Sequence, residues 1–207
     1  MSAGGSGPAP PALGLVLAGG ESRRMGRPKA FLPGPDGRPL LQVALDALGA
    51  AGASRLAIAA RDPASFAGWP LPVVCDRAPG LGPLAGIEAA LREAPLLLSG
   101  PDRPSPEAWV LVVACDMPWL DPALLRELLA RAHSGRPGLQ AVVPRVEGRA
   151  EPLHAAWHTS ALPAVQAALD AGRLAVHEVL RGLRVEWVEL GSRPSLRSVN
   201  VPGDLSW

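Results

Sequence analysis

Apolar residues run along this chain as short unbroken stretches that alternate with longer segments in which they recur at every third or fourth position. The stretches at 13–17 (LGLVL), 55–60 (RLAIAA), 71–75 (LPVVC) and 109–115 (WVLVVAC) have the length and continuity of strands buried on both faces. Between them, 39–50 carries Leu40, Leu41, Ala44, Leu45 and Leu48 at helical spacing, and a second helix is predicted from the glycine-rich 80–87 to about Glu93. Asp121 before Pro122 has the form of an N-cap followed by proline at the first helical position, which starts a helix through about Ala132. Further on, 139–144 and 152–158 (PLHAAWH) predict strands, 160–171 an amphipathic helix, 174–180 a second short helix and 185–190 a last strand. The turn-formers of 33–38, 62–70 and 98–107 predict loops.

Strands and helices alternating at this spacing imply βαβ units and an α/β fold whose mostly parallel sheet is covered on both faces. Ligands of such sheets collect beyond the carboxyl ends of the strands. Residues 18–29, Asp76 and Asp116, far apart in sequence, are therefore expected on one rim, and 199–205 is expected to loop back toward it.

The candidate chemistry starts where the first strand breaks at Ala18-Gly19-Gly20, residues that leave backbone N–H groups uncovered as an anion cradle. Arg23, Arg24, Arg27 and Lys29 follow within a dozen positions, a pattern that fits a triphosphate. The spacing matches neither GxxxxGK[ST], since Ala30 follows Lys29, nor GxGxxG. Asp116 ends the most apolar strand, where a carboxylate is either a turn residue or a metal ligand. Magnesium takes one or two carboxylates together with phosphate oxygens and water, so one rim aspartate facing the cradle suffices. Asp76 has the same two readings. His154 and His158 share a face if 152–158 is a strand, and read either as a polar patch on the substrate side or as half-buried histidines. No Ser-His-Asp or Cys-His arrangement points to covalent catalysis.

Composition narrows the classes. A hydrophobic content of 48% against 19% charged residues excludes a disordered chain, and a net charge of +1 argues against nucleic-acid binding through bulk charge. Residues 1–11 lack the basic and apolar regions of a signal peptide and are expected to form a flexible tail, with one domain over 12–207. With no stretch apolar enough for a membrane span, and with Cys75 and Cys115 read as reduced, buried thiols, a cytoplasmic protein is expected.

Taken together, LAGGESRRMGRPK at 17–29, GPLAGI at 82–87, CDMP at 115–118, EPLHA at 151–155 and NVPGDL at 200–205 resemble the molybdenum cofactor guanylyltransferases, in the same order and over almost the whole chain. The resemblance implies a three-layer α/β/α, Rossmann-like nucleotidyltransferase that joins GMP from GTP to molybdopterin with release of pyrophosphate, using Mg2+. It implies that Leu17, Ala18 and Gly19 are backbone contacts to the nucleotide and that Lys29 binds its phosphates. Asp76 would lie on the nucleoside side, and Asp116 would hold the metal. Lys29, Asp116 and Arg24 would be catalytic, with His154 and Asn200 on the pterin side. GTP and molybdopterin are the implied substrates, and molybdoenzymes or their chaperones further partners. The chain departs from the family at Ala59-Ala60-Arg61, where an asparagine can touch the nucleotide. The alternatives are the CTP-dependent cytidylyltransferase branch, which usually reads LAAG for LAGG, a sugar- or polyol-phosphate nucleotidyltransferase, and a non-catalytic molybdopterin carrier.

Overall fold

The computed structural model describes residues 11–19, 28–77, 80–99, 107–134, 136–192, 194–199 and 204. Among them, eight strands form one sheet: β1 (Ala12–Leu17), β2 (Arg55–Ala60), β3 (Val73–Cys75), β4 (Trp109–Ala114), β5 (Ala141–Val146), β6 (Arg149–Ala150), β7 (His154–His158) and β8 (Val185–Leu190). Their order is β3-β2-β1-β4-β7-β5, with β6 folded back on the outer end of β5 and β8 along it. The β3-β2-β1-β4 half is parallel, as is β8 with β5, whereas β7 runs antiparallel to both of its neighbours. The mostly parallel α/β architecture expected from the alternation is the one found.

Five α-helices cover the two faces: α1 (Leu40–Ala51) and α3 (Pro122–Ala132) on one, and α2 (Pro83–Ser99), α4 (Leu162–Asp170) and α5 (Val176–Leu180) on the other. Alternation along each strand feeds both layers. In β1, Ala12 and Val16 pack toward α1, while Leu13 and Leu15 pack toward α2. Val110, Leu111, Val112 and Val113 of β4 are all fully buried, which is why this strand is a continuous apolar run with no polar side. Gly14 lets α1 press close to the sheet, since a Cβ there would lie 2.8 Å from Leu56 Cδ2 and 3.1 Å from Leu48 Cβ.

Among the boundaries that differ from those predicted, three have a clear physical reason. Helix α2 runs on through Pro95 to Ser99, because burial of Ala94 and packing of Leu97 and Leu98 on the core outweigh one lost backbone hydrogen bond. Strand β5 extends to Val146, because Glu147 (φ 52°) and Gly148 (φ 79°) form a tight hairpin turn that folds β6 back onto it. The helix predicted from Ser160 starts as a single 3-10 turn, Thr159–Ala161, capped by Nδ1 of His158, and becomes α-helical at Leu162. Both cysteines are unpaired, and burial together with the adjacent Asp116 pushes the Cys115 thiol up to about 12, which makes it chemically inert. No helix among the described residues is long and apolar enough to cross a membrane.

Candidate active site

The carboxyl ends of β1, β2, β3 and β4 share one rim, and Lys29 reaches it from the 3-10 turn Lys29–Phe31. That turn is held by its apolar neighbours. Ala30 and Leu32 are buried, and the Leu32 carbonyl accepts a hydrogen bond from Leu40 N–H at the start of α1. Lys29 Nζ donates to Asp116 Oδ2 at 2.8 Å, joining residues 87 positions apart, with side chains 18% and 20% exposed. Asp116 is itself fixed by backbone on two sides. Cys115 N–H donates to the Leu17 carbonyl at 3.1 Å, and the Asp116 carbonyl accepts from Val199 N–H at 2.8 Å. The C-terminal loop therefore returns to the rim at Val199, as expected, while Asn200 lies outside the described residues.

The backbone of the cradle is less open than its sequence suggests. Ala18 N–H, expected to be uncovered, donates to the Ala59 carbonyl at 2.9 Å and extends the sheet instead, and the Leu17 carbonyl accepts from Cys115 N–H. Gly19 is exposed and lies against β2, where a Cβ would stand 3.4 Å from Arg61 N. Gly20 and the basic residues Arg23, Arg24 and Arg27 lie outside the described residues.

Asp76 sits at the end of β3 beside the start of α2. Gly86 lets α2 lie close on the ends of β1 and β2, since a Cβ there would come within 2.8 Å of Leu17 Cδ2 and 3.2 Å of Ala59 Cβ, with Asp76 Oδ1 3.8 Å away. Burial holds the Asp76 carboxyl above its ordinary value; Arg61 opposes that rise and Glu88 adds to it. Glu88 is fully buried on α2 and compensated by Arg77 at 2.8 Å, Arg92 at 2.6 Å and Gln166 at 2.9 Å. It ties the loop after Asp76 to α2 and α4.

On the other side of Asp116 opens a pocket of about 560 Å³. Its walls come from Ala114 and Met117 at the end of β4, the β6–β7 connection with Glu151 and Leu153, and His177 at the start of α5. The Lys29–Asp116 contact thus stands between two regions, the ends of β1 to β3 with α2 on one side and this pocket on the other.

Residues 14–187 match the family described as MobA-like NTP transferase domain. The chain belongs to that family. A "Probable molybdenum cofactor guanylyltransferase" of Opitutus terrae is 36% identical to this MobA-like chain over 170 residues, covering 82% of it and 78% of the relative. The "Molybdopterin-guanine dinucleotide biosynthesis protein A" of Archaeoglobus fulgidus superposes with a TM-score of 0.74 at 25% identity, over 93% of this chain and 94% of that one. A Mycobacterium tuberculosis protein solved as a complex with manganese shares the fold, with a TM-score of 0.60 at 21% identity over 89% and 90% of the two chains.

In this MobA-like transferase the reading of His154 as a substrate-side residue gives way. Its side chain is fully buried, on the face of β7 that carries Ala156 toward the layer of α1 and α3, and it pairs with Val113 of β4. Neither ring nitrogen has a hydrogen-bond partner among the described residues. Burial lowers its pKa from 6.5 to about 4, with Asp121 opposing. A neutral, buried histidine of this kind makes stability depend on pH. The protein is fully stabilised above 6.5 and loses on the order of 3 kcal/mol as pH falls through the window from 6.5 to about 4, because the unfolded chain binds the proton first. His154→Leu is expected to flatten that slope in urea melts between pH 7 and pH 4, and an unchanged slope would contradict it. His158 is half-exposed, with its ring 4.9 Å from Trp109 and its Nδ1 occupied by Ser160. The pocket residues Glu151, Leu153 and His177 were missed as a group, although Glu151 and Leu153 stand in the EPLHA motif.

Proposed function

We propose that this MobA-like transferase joins the GMP moiety of GTP to the terminal phosphate of molybdopterin and releases pyrophosphate. The observation that carries the reading is the Lys29–Asp116 contact, a cation and a carboxylate brought together from distant sequence between a glycine-rich rim and a separate pocket. The names of the relatives supply guanine and molybdopterin. In this reading the nucleotide lies along the ends of β1 to β3, with its nucleoside toward Asp76 and Gly19 and its phosphates toward Lys29. The acceptor enters the pocket beyond Asp116.

Asp116 fits a divalent cation. Its carboxylate is partly open on the rim, and Mg2+ takes one or two carboxylates and fills its remaining positions with phosphate oxygens and water. Mg2+ held there would supply charge neutralisation at the transferred phosphoryl group. An oxygen of the acceptor phosphate forms the new bond to the α-phosphorus of GTP, and the bond from that phosphorus to the bridging oxygen of the β-phosphate breaks. The acceptor phosphate is already largely ionised at neutral pH, so no strong general base is required of the chain. Its residues orient the two phosphates in line and hold positive charge where negative charge develops. Lys29 does the latter beside the leaving pyrophosphate, and the family resemblance implies a catalytic part for Arg24.

Pyrophosphate release tests the reading when the purified protein is incubated with each of the four nucleoside triphosphates, Mg2+ and molybdopterin. Release that requires both GTP and molybdopterin is expected. A preference for CTP would move the chain to the cytidylyl branch, and no release with any nucleotide would leave a carrier.

A further inference from the structure

The pocket beyond Asp116 holds a second carboxylate that the phosphoryl chemistry leaves unused. Glu151 stands in the β6–β7 connection on a backbone held at both ends. Its N–H donates to the Pro144 carbonyl at 2.9 Å, its carbonyl accepts from His154 N–H at 3.1 Å, and Pro152 follows. The tight turn at Glu147-Gly148 sets the direction of the whole hairpin. Ala150, Pro152, Leu153 and Val176 give the pocket an apolar side, and Asp116, Arg149, His177 and Ser198 line the rest of it.

A carboxylate in such surroundings is costly unless donors complete it. The partner present is Arg149, whose Nε lies 3.7 Å from Glu151 Oε1, too far for a good hydrogen bond, on a side chain 86% exposed. Burial keeps the Glu151 carboxyl above its usual range, and Arg149 only partly opposes this. Glu151 is thus a rigidly mounted, half-buried acceptor whose ionic partner among the described residues, Arg149, stands 3.7 Å away.

We propose that Glu151 is a specificity-determining residue that reads the aminopyrimidinone edge of the pterin. This rests on the pocket being the acceptor site. A pterin presents a ring N–H and an exocyclic NH2 side by side, a spacing that the two oxygens of one carboxylate accept together. The flat ring would lie between Leu153 and Val176 while its phosphate points to Asp116 and the nucleotide.

Two free pteridines used as probes separate the outcomes: pterin, which has the 2-amino group, and lumazine, which carries an oxygen there. Titrated calorimetrically into the full chain, pterin is expected to bind the wild type at least about tenfold more tightly than lumazine. Glu151→Gln is expected to erase that preference and to leave the dissociation constant for GTP unchanged. Glu151→Asp, which keeps the charge on a shorter arm, is expected to fall between the two. Equal binding of pterin by wild type and Glu151→Gln, with both folded by circular dichroism, would overturn the assignment. Failure of the wild type to bind either pteridine would overturn the acceptor reading of the pocket and the role of Glu151 with it.

Discussion

Asp116→Ala is expected to lower kcat for guanylyl transfer by about a hundredfold to a thousandfold, the range found when a single preorganised electrostatic group is removed from a transition state. Its effect on stability is expected to be small. The Lys29–Asp116 pair is partly exposed, and such pairs contribute about 0–1 kcal/mol. The backbone bonds that hold this corner, from Cys115 to Leu17 and from Val199 to Asp116, do not involve the side chain. The decisive comparison is single-turnover transfer against a thermal melt of the same preparation. Near-normal turnover in a folded Asp116→Ala protein would remove Asp116 from the metal site.

Lys29→Ala is expected to weaken both GTP binding and turnover, each by about tenfold to a hundredfold, because the ammonium meets the phosphates in the ground state and gains further as charge develops. The stabilisation conferred by GTP in a thermal-shift assay should fall with the affinity, since a ligand that binds only the folded chain raises its stability with the logarithm of saturation. Because Lys29 and Asp116 touch, the double variant is expected to lose less than the product of the two single losses. Strictly multiplicative losses would indicate that the two residues act at separate points. Lys29→Arg is expected to restore only part of the activity, since a planar guanidinium does not reproduce a compact ammonium at the 2.8 Å contact.

Much of this fold was legible from period and punctuation alone. The runs that became β1, β2 and β4 are apolar because both of their faces are covered, and Asp121-Pro122 started α3 as capping chemistry requires. The convergence of Lys29 with Asp116 followed from placing the segment after β1 and the end of β4 on one rim of a parallel sheet. Other features depend on contacts that no local pattern records. Proline normally ends a helix, and only the packing of Leu97 and Leu98 shows why α2 passes Pro95. The reversal of β7 between β4 and β5 is a matter of strand pairing. His154 has two readings in the sequence, substrate-side or half-buried, and it is core because alternation along β7 turns it toward the layer of α1 and α3. Glu151, three positions before it, was overlooked because its importance comes from a pocket assembled by β4, the β6–β7 connection and α5.

The central claim is that Lys29 and Asp116 mark the boundary between a nucleotide on the β1 to β3 rim and an acceptor in the neighbouring pocket. A crystal structure of the chain with Mg2+ and a GTP analogue whose α,β-bridging oxygen is replaced by a methylene tests it most directly. The α-phosphate is expected next to Lys29 and Asp116, the guanosine toward Gly19 and Asp76, and the 560 Å³ pocket left open. A guanine base seated in that pocket, between Glu151 and His177, would contradict it.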